Sequence, residues 1–198
     1  MDFNEFISEN FKKRKMGLVL DNSKEIIKVI LIPTASRTKE EFHYVKKDKI
    51  ELYKIGITKK NLFVYNLDKK LTYNKVRDCD VIYICGGNTF YLTAKMKEDG
   101  FDKVIKKLVK NNKIYVGVSA GSILAGPNID IANPFDENDI GLKDWSGLKL
   151  TNRIVTPHFD NKEKEIIEQF KKKEKFQIIP ITNNQALFVT KKENKIIE

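Results

Sequence analysis

The chain of 198 residues is poor in cysteine, and this scarcity excludes some common kinds of site. Cys79 and Cys85 are too few to staple a small domain with disulfides, and their spacing matches no metal-binding motif. Cys85 lies within an apolar run, where a buried thiol is the usual role. We therefore expect no disulfide scaffold. We also expect no metal or other cofactor.

Long hydrophobic runs are also absent. No window approaches the ~18 consecutive apolar residues that a membrane-spanning helix needs. The start, MDFNEFISENFKKRK, lacks the basic-then-apolar order of a secretory signal. With 41% hydrophobic residues the chain can bury one sizeable core. We expect a soluble, cytoplasmic, single-domain protein, monomeric or homodimeric, without a membrane partner.

Arginine is scarce among the many positive charges. The 37 Lys and Arg residues give a net charge of +10, which would suit a nucleic-acid partner, but only four of them are Arg. Lys is interleaved with Glu and Asp along most of the chain. The densest basic runs, at 11–15 and 170–175, are typical of an N-terminal arm and a solvated helix face. We expect nucleic acid not to be the main partner.

Short apolar segments alternate with helical patterns, which is typical of a mostly parallel sheet with helices on both faces. The strands are predicted at 26–33, 61–67, 79–87, 113–119, 153–159, 176–182 and 185–190. The helices are predicted at 39–54, 89–100, 101–111 and 162–173, with Asn88 as N-cap and Gly100 as C-terminal stop of the second. Residues 128–151 are expected to form a long loop, and the last two strands a hairpin across Asn183 and Asn184.

The segment YVGVSAGSILAGP places Gly-x-Ser-x-Gly between a strand and a helix of small residues. Gly117 and Gly121 flank Ser119 at positions where larger side chains would collide in a tight strand-to-helix turn. Such a turn exposes the hydroxyl and points the N-terminus of the next helix at it, so the Ala120 N–H and the helix dipole could stabilise an oxyanion. Serine is also a common helix N-cap. The strand before and the helix after favour the nucleophile.

A second strand ends in Gly86-Gly87-Asn88 and opens into a helix. Paired glycines let backbone N–H groups approach a ligand closely, as an oxyanion hole or a phosphate cradle requires. The segment lacks the glycine pattern of a dinucleotide site and the Gly-Lys-Ser/Thr of a P-loop. A plain strand-to-helix turn is an equal alternative.

The chain has two histidines, and one of them is placed to act as a base. His43 lies in the charged segment EEFHYVKKD, where a surface role on a helix is expected. His158 lies at the carboxyl end of a predicted strand, where ligands and catalytic groups collect in open α/β sheets. If Ser119 is a nucleophile, His158 is its base by elimination.

The group that would orient His158 stays open. Four carboxylates could hold the ring tautomer and stabilise its cation. They are Asp136, Glu137, Asp139 and Asp160. Asn183, at the end of the next strand, could orient the ring as an amide does in cysteine proteases, but it carries no charge.

Five segments resemble peptidase family S51, which includes aspartyl dipeptidase (dipeptidase E) and, more distantly, cyanophycinase. They are ICGGNTFYL, YVGVSAGSILAGPNI, GLKDWSGLKL, IVTPHF and IIPITNNQALFV, in the family's order and approximate spacing. The resemblance covers about residues 26–190. It implies a flavodoxin-like three-layer α/β/α sandwich related to class I glutamine amidotransferases. It further implies a serine peptidase that cleaves dipeptides or very short peptides, including those with N-terminal aspartate, without a metal.

Carried over by motif, the resemblance makes Ser119 the nucleophile, His158 its base, and the Gly87 and Ala120 amides the oxyanion hole. Asp136 is the best match to an aspartate assigned to the triad in some members. The chain departs from the pattern at Asn183, where many members carry Glu or Asp.

The start of the chain is the second departure, because residues 1–25 are polar and basic where members usually open with a strand. A cation would be needed to bind an aspartate side chain, and Arg153 and Lys143 are candidates because they lie near site-forming loops. Gly86 and Asn88 are expected to line the substrate. An amidase or esterase on the same scaffold, or a binding protein with a weakened triad, is the alternative.

Overall fold

The computed structural model describes residues 27–98, 100–190 and 193–198, so the atypical N-terminal segment 1–25 lies outside the described residues. The strands are β1 (Val29–Ile32), β2 (Leu62–Val64), β3 (Val81–Ile84), β4 (Ile114–Gly117), β5 (Arg153–Thr156), β6 (Gln177–Pro180), β7 (Ala186–Val189) and β8 (Asn194–Ile197). The helices are α1 (Lys39–Lys54), α2 (Tyr73–Val76), α3 (Thr89–Glu98), α4 (Phe101–Lys110), α5 (Ala120–Leu124) and α6 (Lys164–Lys173).

Four strands form a parallel sheet in the order β2-β1-β3-β4. The strands β1 and β3 are buried along their whole length, as the apolar runs predicted, because both lie inside the sheet with a strand on each side. Their carboxyl ends meet at one edge, and the loops that leave this edge carry Ser36, Gly87 and Ser119. The mixed α/β class with a mostly parallel sheet is therefore confirmed.

Helices cover both faces of the sheet, because successive side chains of a strand point to opposite sides. One face carries Ile32 and Ile84, which pack with Phe90 of α3 and Phe101 of α4 in the larger core cluster. The other face carries Leu31 and packs against α1. Each fully buried side chain of this size contributes about 1.5–3 kcal/mol through removal of apolar surface from water.

The helix α3 is bounded by the two residues that the sequence predicts, and α4 starts directly after the second of them. Asn88 Oδ1 accepts the Tyr91 N–H at 2.8 Å, which confirms Asn88 as the N-cap of α3. Gly100 has φ +67°, and its N–H donates to Lys97 O at 3.0 Å. It ends α3 and serves at the same time as the N-cap of α4.

The pairing of the last strands differs from the prediction. β5 and β6 form a parallel pair, whereas β7 pairs antiparallel with β8. The hairpin expected across Asn183 and Asn184 is therefore wrong: these residues lie in a turn between β6 and β7, and Gln185 N–H closes it by donating to Thr182 O at 3.2 Å. The β7 partner is the polar segment after 193, which shows no strand pattern.

The long loop predicted at 128–151 is confirmed, with a short 3₁₀ turn at Asp130–Ala132 inside it. A single bridge joins Asn128 to Ser146. Trp145 packs edge-on against Phe90 of α3, with ring centroids 5.0 Å apart, and its indole N–H donates to Leu142 O at 2.8 Å. The loop is thus docked on α3. None of the helices in the described ranges is long and apolar enough to cross a bilayer.

Candidate active site

Ser119 occupies the sharp turn between β4 and α5. Its backbone has φ +48° and ψ −113°, a conformation that non-glycine residues rarely adopt and that is typical of a nucleophile elbow. A Cβ on Gly117 would lie 2.4 Å from Gly121 O, and a Cβ on Gly121 would lie 2.5 Å from Ile84 O. Both glycines are required because α5 passes directly over the ends of β3 and β4.

His158 follows β5 in a left-handed conformation with φ +61°. The backbone on both sides is fixed by the chain after β6, since Ile181 N–H donates to Thr156 O at 3.0 Å and Phe159 N–H donates to Ile181 O at 2.9 Å. Asn183 lies two residues beyond Ile181. The parallel pairing of β5 and β6 therefore brings the histidine and the asparagine together.

Ser119, His158 and Asn183 form a hydrogen-bonded row. Ser119 Oγ lies 2.9 Å from His158 Nε2, and Asn183 Oδ1 lies 2.5 Å from His158 Nδ1. An amide oxygen only accepts, so this arrangement requires the proton on Nδ1 and leaves Nε2 free to accept from the serine hydroxyl. This tautomer suits a general base. His158 and Asn183 are exposed, so the row is open to solvent.

The Gly86-Gly87 turn lies against the serine. A Cβ on Gly86 would lie 2.9 Å from Ser119 Cβ, and Gly87 has φ +133° with its backbone pressed on Ala35. In the part of the chain that the structure describes, neither the Gly87 N–H nor the Ala120 N–H has a protein acceptor. Two free donors beside a serine hydroxyl can stabilise a developing oxyanion.

Three of the carboxylates that the sequence offered as orienting groups, Asp136, Asp139 and Asp160, bond elsewhere. Asp136 Oδ2 accepts the Thr89 N–H at 2.8 Å, because the start of α3 presents unpaired N–H groups. The Glu137 backbone carbonyl accepts from Asn88 Nδ2 at 2.8 Å. Asp160 accepts the Lys162 N–H and caps the turn before α6. Among the described residues, the hydrogen-bond partners of the His158 ring are Ser119 and Asn183.

The two cation candidates, Arg153 and Lys143, make no hydrogen bond to the row among the described residues. Arg153 begins β5, so at about 3.3 Å per residue the strand separates its Cα by roughly 10 Å from that of Thr156, the last strand residue before Pro157 and His158. Its guanidinium donates to Asn152 Oδ1 at 3.2 Å. Lys143 is exposed in the long loop, and His43 is exposed on α1 as expected.

Arg37 is a cation near the site that sequence reasoning missed. Its guanidinium makes a bidentate contact with Asp139 at 2.9 and 2.6 Å and lies over the Tyr91 ring, 5.0 Å from its centroid. Hydrogen bonding from Arg37 lowers the pKa of the Asp139 carboxyl below its ordinary value. The neighbouring Ser36 donates to Gly86 O at 2.8 Å. The sequence did carry a signal for Ser36 and Arg37, since both follow a buried strand. It did not reveal that β1 and β3 are neighbours in the sheet.

Within the described ranges, no group of three or more His, Cys, Asp or Glu residues is arranged to hold a metal ion. Cys79 and Cys85 are free and buried. Burial raises the pKa of both thiols, which disfavours the reactive thiolate.

Comparison with known proteins identifies the family. A sequence model of Peptidase family S51 matches residues 8–197. The chain belongs to family S51. This S51 chain is 34% identical over 170 residues to an uncharacterized peptidase of Listeria monocytogenes, with 83% of each protein covered. It is 29% identical over 134 residues to a peptidase E of Nostoc, covering 68% of this chain and 53% of that protein.

Solved structures place the S51 chain in the same fold. A crystal structure from Listeria monocytogenes, described as a peptidase E protein, has a TM-score of 0.74 at 30% identity and covers 96% of this chain and 92% of its own. A peptidase structure from an acI-B1 actinobacterium has a TM-score of 0.61 at 18% identity, which supports the fold alone. The family match and the peptidase E relatives support a peptidase.

Proposed function

We propose that the chain is a serine peptidase that hydrolyses dipeptides or very short peptides, with dipeptides that begin with aspartate among its substrates. The observation that carries the proposal is the row Ser119–His158–Asn183, in which the serine hydroxyl lies 2.9 Å from the ring nitrogen that is free to accept its proton. The family resemblance supplies the substrate class. It also leads us to infer a flavodoxin-like arrangement of the layers.

The proposed reaction uses the row twice. Ser119 Oγ attacks the scissile carbonyl while His158 Nε2 takes its proton, and the Gly87 and Ala120 N–H groups stabilise the oxyanion. The imidazolium then protonates the leaving amine as the C–N bond breaks, which leaves an acyl-enzyme. Water attacks the ester with His158 again as base, and Ser119 regains its proton.

Asn183 stands where a serine triad usually has an acid. The main alternative to an efficient triad is therefore a weakened one. Replacing the acid of a serine triad by an amide can cost about 10⁴ in turnover, because the amide favours the wrong histidine tautomer. Here the amide oxygen faces Nδ1, so the correct tautomer is kept and only the charge is missing. We expect measurable turnover that is slower than that of a triad with a carboxylate.

The test is hydrolysis of a panel of Asp-X and other dipeptides, with release of free amino acids as the readout and small esters as a parallel panel. Wild type is compared with Ser119→Ala and with Ser146→Ala as the matched control, since Ser146 lies in the long loop beside Lys97. We expect turnover in wild type and Ser146→Ala and none in Ser119→Ala. Turnover of esters but not of any dipeptide would favour the esterase alternative. Failure of both turnover and fluorophosphonate labelling at Ser119 would contradict a catalytic role.

A further inference from the structure

The long loop between α5 and β5 reaches back to the turn that carries the Gly87 amide. Asp136 Oδ2 accepts the N–H of Thr89, the first residue of α3, at 2.8 Å. One residue on, the Glu137 carbonyl accepts from Asn88 Nδ2 at 2.8 Å. Residues 88 and 89 follow Gly87 directly, so the loop holds the turn from its helical side.

The loop after β1 holds the same turn from its opposite side. Asn88 N–H donates to Ala35 O at 3.0 Å, and Ser36 Oγ donates to Gly86 O at 2.8 Å. The two loops are themselves joined by the bidentate contact between Arg37 and Asp139. Gly87 therefore lies in a turn held by both loops.

Removal of the Asp136 carboxylate would release one side of this turn. Thr89 is completely buried, and its hydroxyl has no hydrogen-bond partner in the described residues. Its N–H would lose its side-chain acceptor as well, so both of its polar donors would be left without a partner, which buried groups avoid. The turn would shift to recover a partner, and the Gly87 amide would shift with it.

We propose that Asp136 is a positioning residue, which sets the Gly87 amide of the oxyanion hole and takes no part in the proton transfer between Ser119 and His158. This role rests on the proposed function, because it matters only if the amide stabilises an oxyanion. It also differs from membership of a triad, in which a carboxylate would bond His158 Nδ1. That position is taken by Asn183.

The experiment compares Asp136→Ala and Asp136→Asn with Asp144→Asn as the matched control. Asp144 lies in the same loop and also accepts a backbone N–H, that of Ser146, but it pairs with Lys97 away from the row. The readouts are kcat and KM on the best dipeptide, the pH dependence of kcat/KM, and amide hydrogen exchange in peptides that span residues 86–91.

Loss of one oxyanion-hole donor lowers kcat by about 10²–10³-fold, and a displaced donor should cost less. We expect Asp136→Ala to lower kcat by roughly 10- to 100-fold, with KM changed little, faster exchange at 86–91 and an unchanged pH midpoint. Asp136→Asn should recover most of kcat, because its amide oxygen still accepts the Thr89 N–H. Asp144→Asn should match the wild type.

Two results would overturn the proposal. A shifted pH midpoint, with Asp136→Asn as slow as Asp136→Ala, would make Asp136 part of the proton relay. Wild-type kcat and exchange in Asp136→Ala would show that the turn holds without it. If the wild type hydrolyses nothing, the proposed function fails, and exchange at 86–91 alone decides whether Asp136 positions the turn.

Discussion

Asn183 separates two tasks that a carboxylate performs together behind a catalytic histidine. Its amide oxygen fixes the ring orientation and the proton on Nδ1, which is the geometric task. It supplies no negative charge to stabilise the imidazolium that the proposed reaction would form on His158, which is the electrostatic task. Asn183 can thus orient the His158 ring, but it supplies no negative charge to stabilise the protonated ring.

The variant Asn183→Asp restores the charge. We expect it to raise kcat and to move the acidic limb of the pH profile to higher pH, because a carboxylate stabilises the protonated ring. Asn183→Ala should lower kcat by freeing the ring to rotate. Asn184→Asp, at the exposed neighbouring position, is the control for added charge. An unchanged pH limb in Asn183→Asp would mean that the contact to His158 does not persist in the working enzyme.

Asp48 on α1 is a carboxylate that the site does not use. Burial, the largest cause, raises the pKa of Asp48, and hydrogen bonds from Cys85 and Tyr83 lower it in part. A raised pKa in the folded state means that the ionised form destabilises the fold above that pKa. The cost disappears as the pH falls below the unfolded-state value of about 3.9.

We therefore expect Asp48→Asn to increase the free energy of unfolding at neutral pH, with the gain vanishing in acid. Urea unfolding at several pH values measures the effect. Asp78→Asn, at an exposed position, is the control and should leave stability nearly unchanged. A loss of stability in Asp48→Asn at neutral pH would show that the ionised carboxylate is favourable there.

At the scale of the elements, the elbow depends on how closely α5 lies over β3. In Gly121→Ala the new methyl group would lie 2.5 Å from Ile84 O, a backbone atom that cannot rotate away. We expect α5 to be displaced, and labelling of Ser119 by a fluorophosphonate to slow markedly, with lowered stability. Gly141→Ala is the control, since nothing lies within 4 Å of its Cβ. Its φ of +64° should cost about 1–2 kcal/mol without slowing the labelling.

The sequence was most informative where one element decides the structure. The apolar run that contains Val81–Ile84 predicted β3, and the glycines around Ser119 predicted the elbow, since both patterns are local. Strand ends were predicted too long, as at 61–67 for Leu62–Val64, because apolar residues continue past the last ladder pair.

The sequence was least informative where two distant segments meet. Asn183 and Asn184 form a turn dipeptide, so a hairpin was a natural prediction, but β6 finds its partner in β5. Asp136 and Asn183 were both open as partners of His158. Only the pairing of β5 with β6 and the position of α3 show which contacts each one makes.

At the scale of the whole molecule, the net charge is +10, but several of the lysines lie in local ion pairs. Lysines pair with acids of the same helix or of a neighbouring loop. These pairs are Lys54–Glu51, Lys95–Glu98, Lys97–Asp144, Lys106–Asp102, Lys113–Asp80 and Lys171–Glu168. Such pairing weakens the local potential that a polyanion would meet.

We expect weak retention on heparin that is lost with a modest rise in salt, and no preference among nucleic-acid sequences. The logarithm of the binding constant should fall gently with the logarithm of salt, because few phosphates would be contacted at once. Fluorescence anisotropy of labelled oligonucleotides at several salt concentrations measures the slope. A steep slope together with sequence preference would restore a nucleic-acid partner.

The docking of Trp145 on Phe90 has an optical consequence. Trp145 is the single tryptophan of the chain, so selective indole excitation reports from one place, the junction of the long loop with α3. That junction adjoins Thr89 and the turn that carries Gly87. The protein therefore contains its own fluorescent probe. The wavelength of its emission depends on whether this wall of the site is packed against α3 or exposed to solvent.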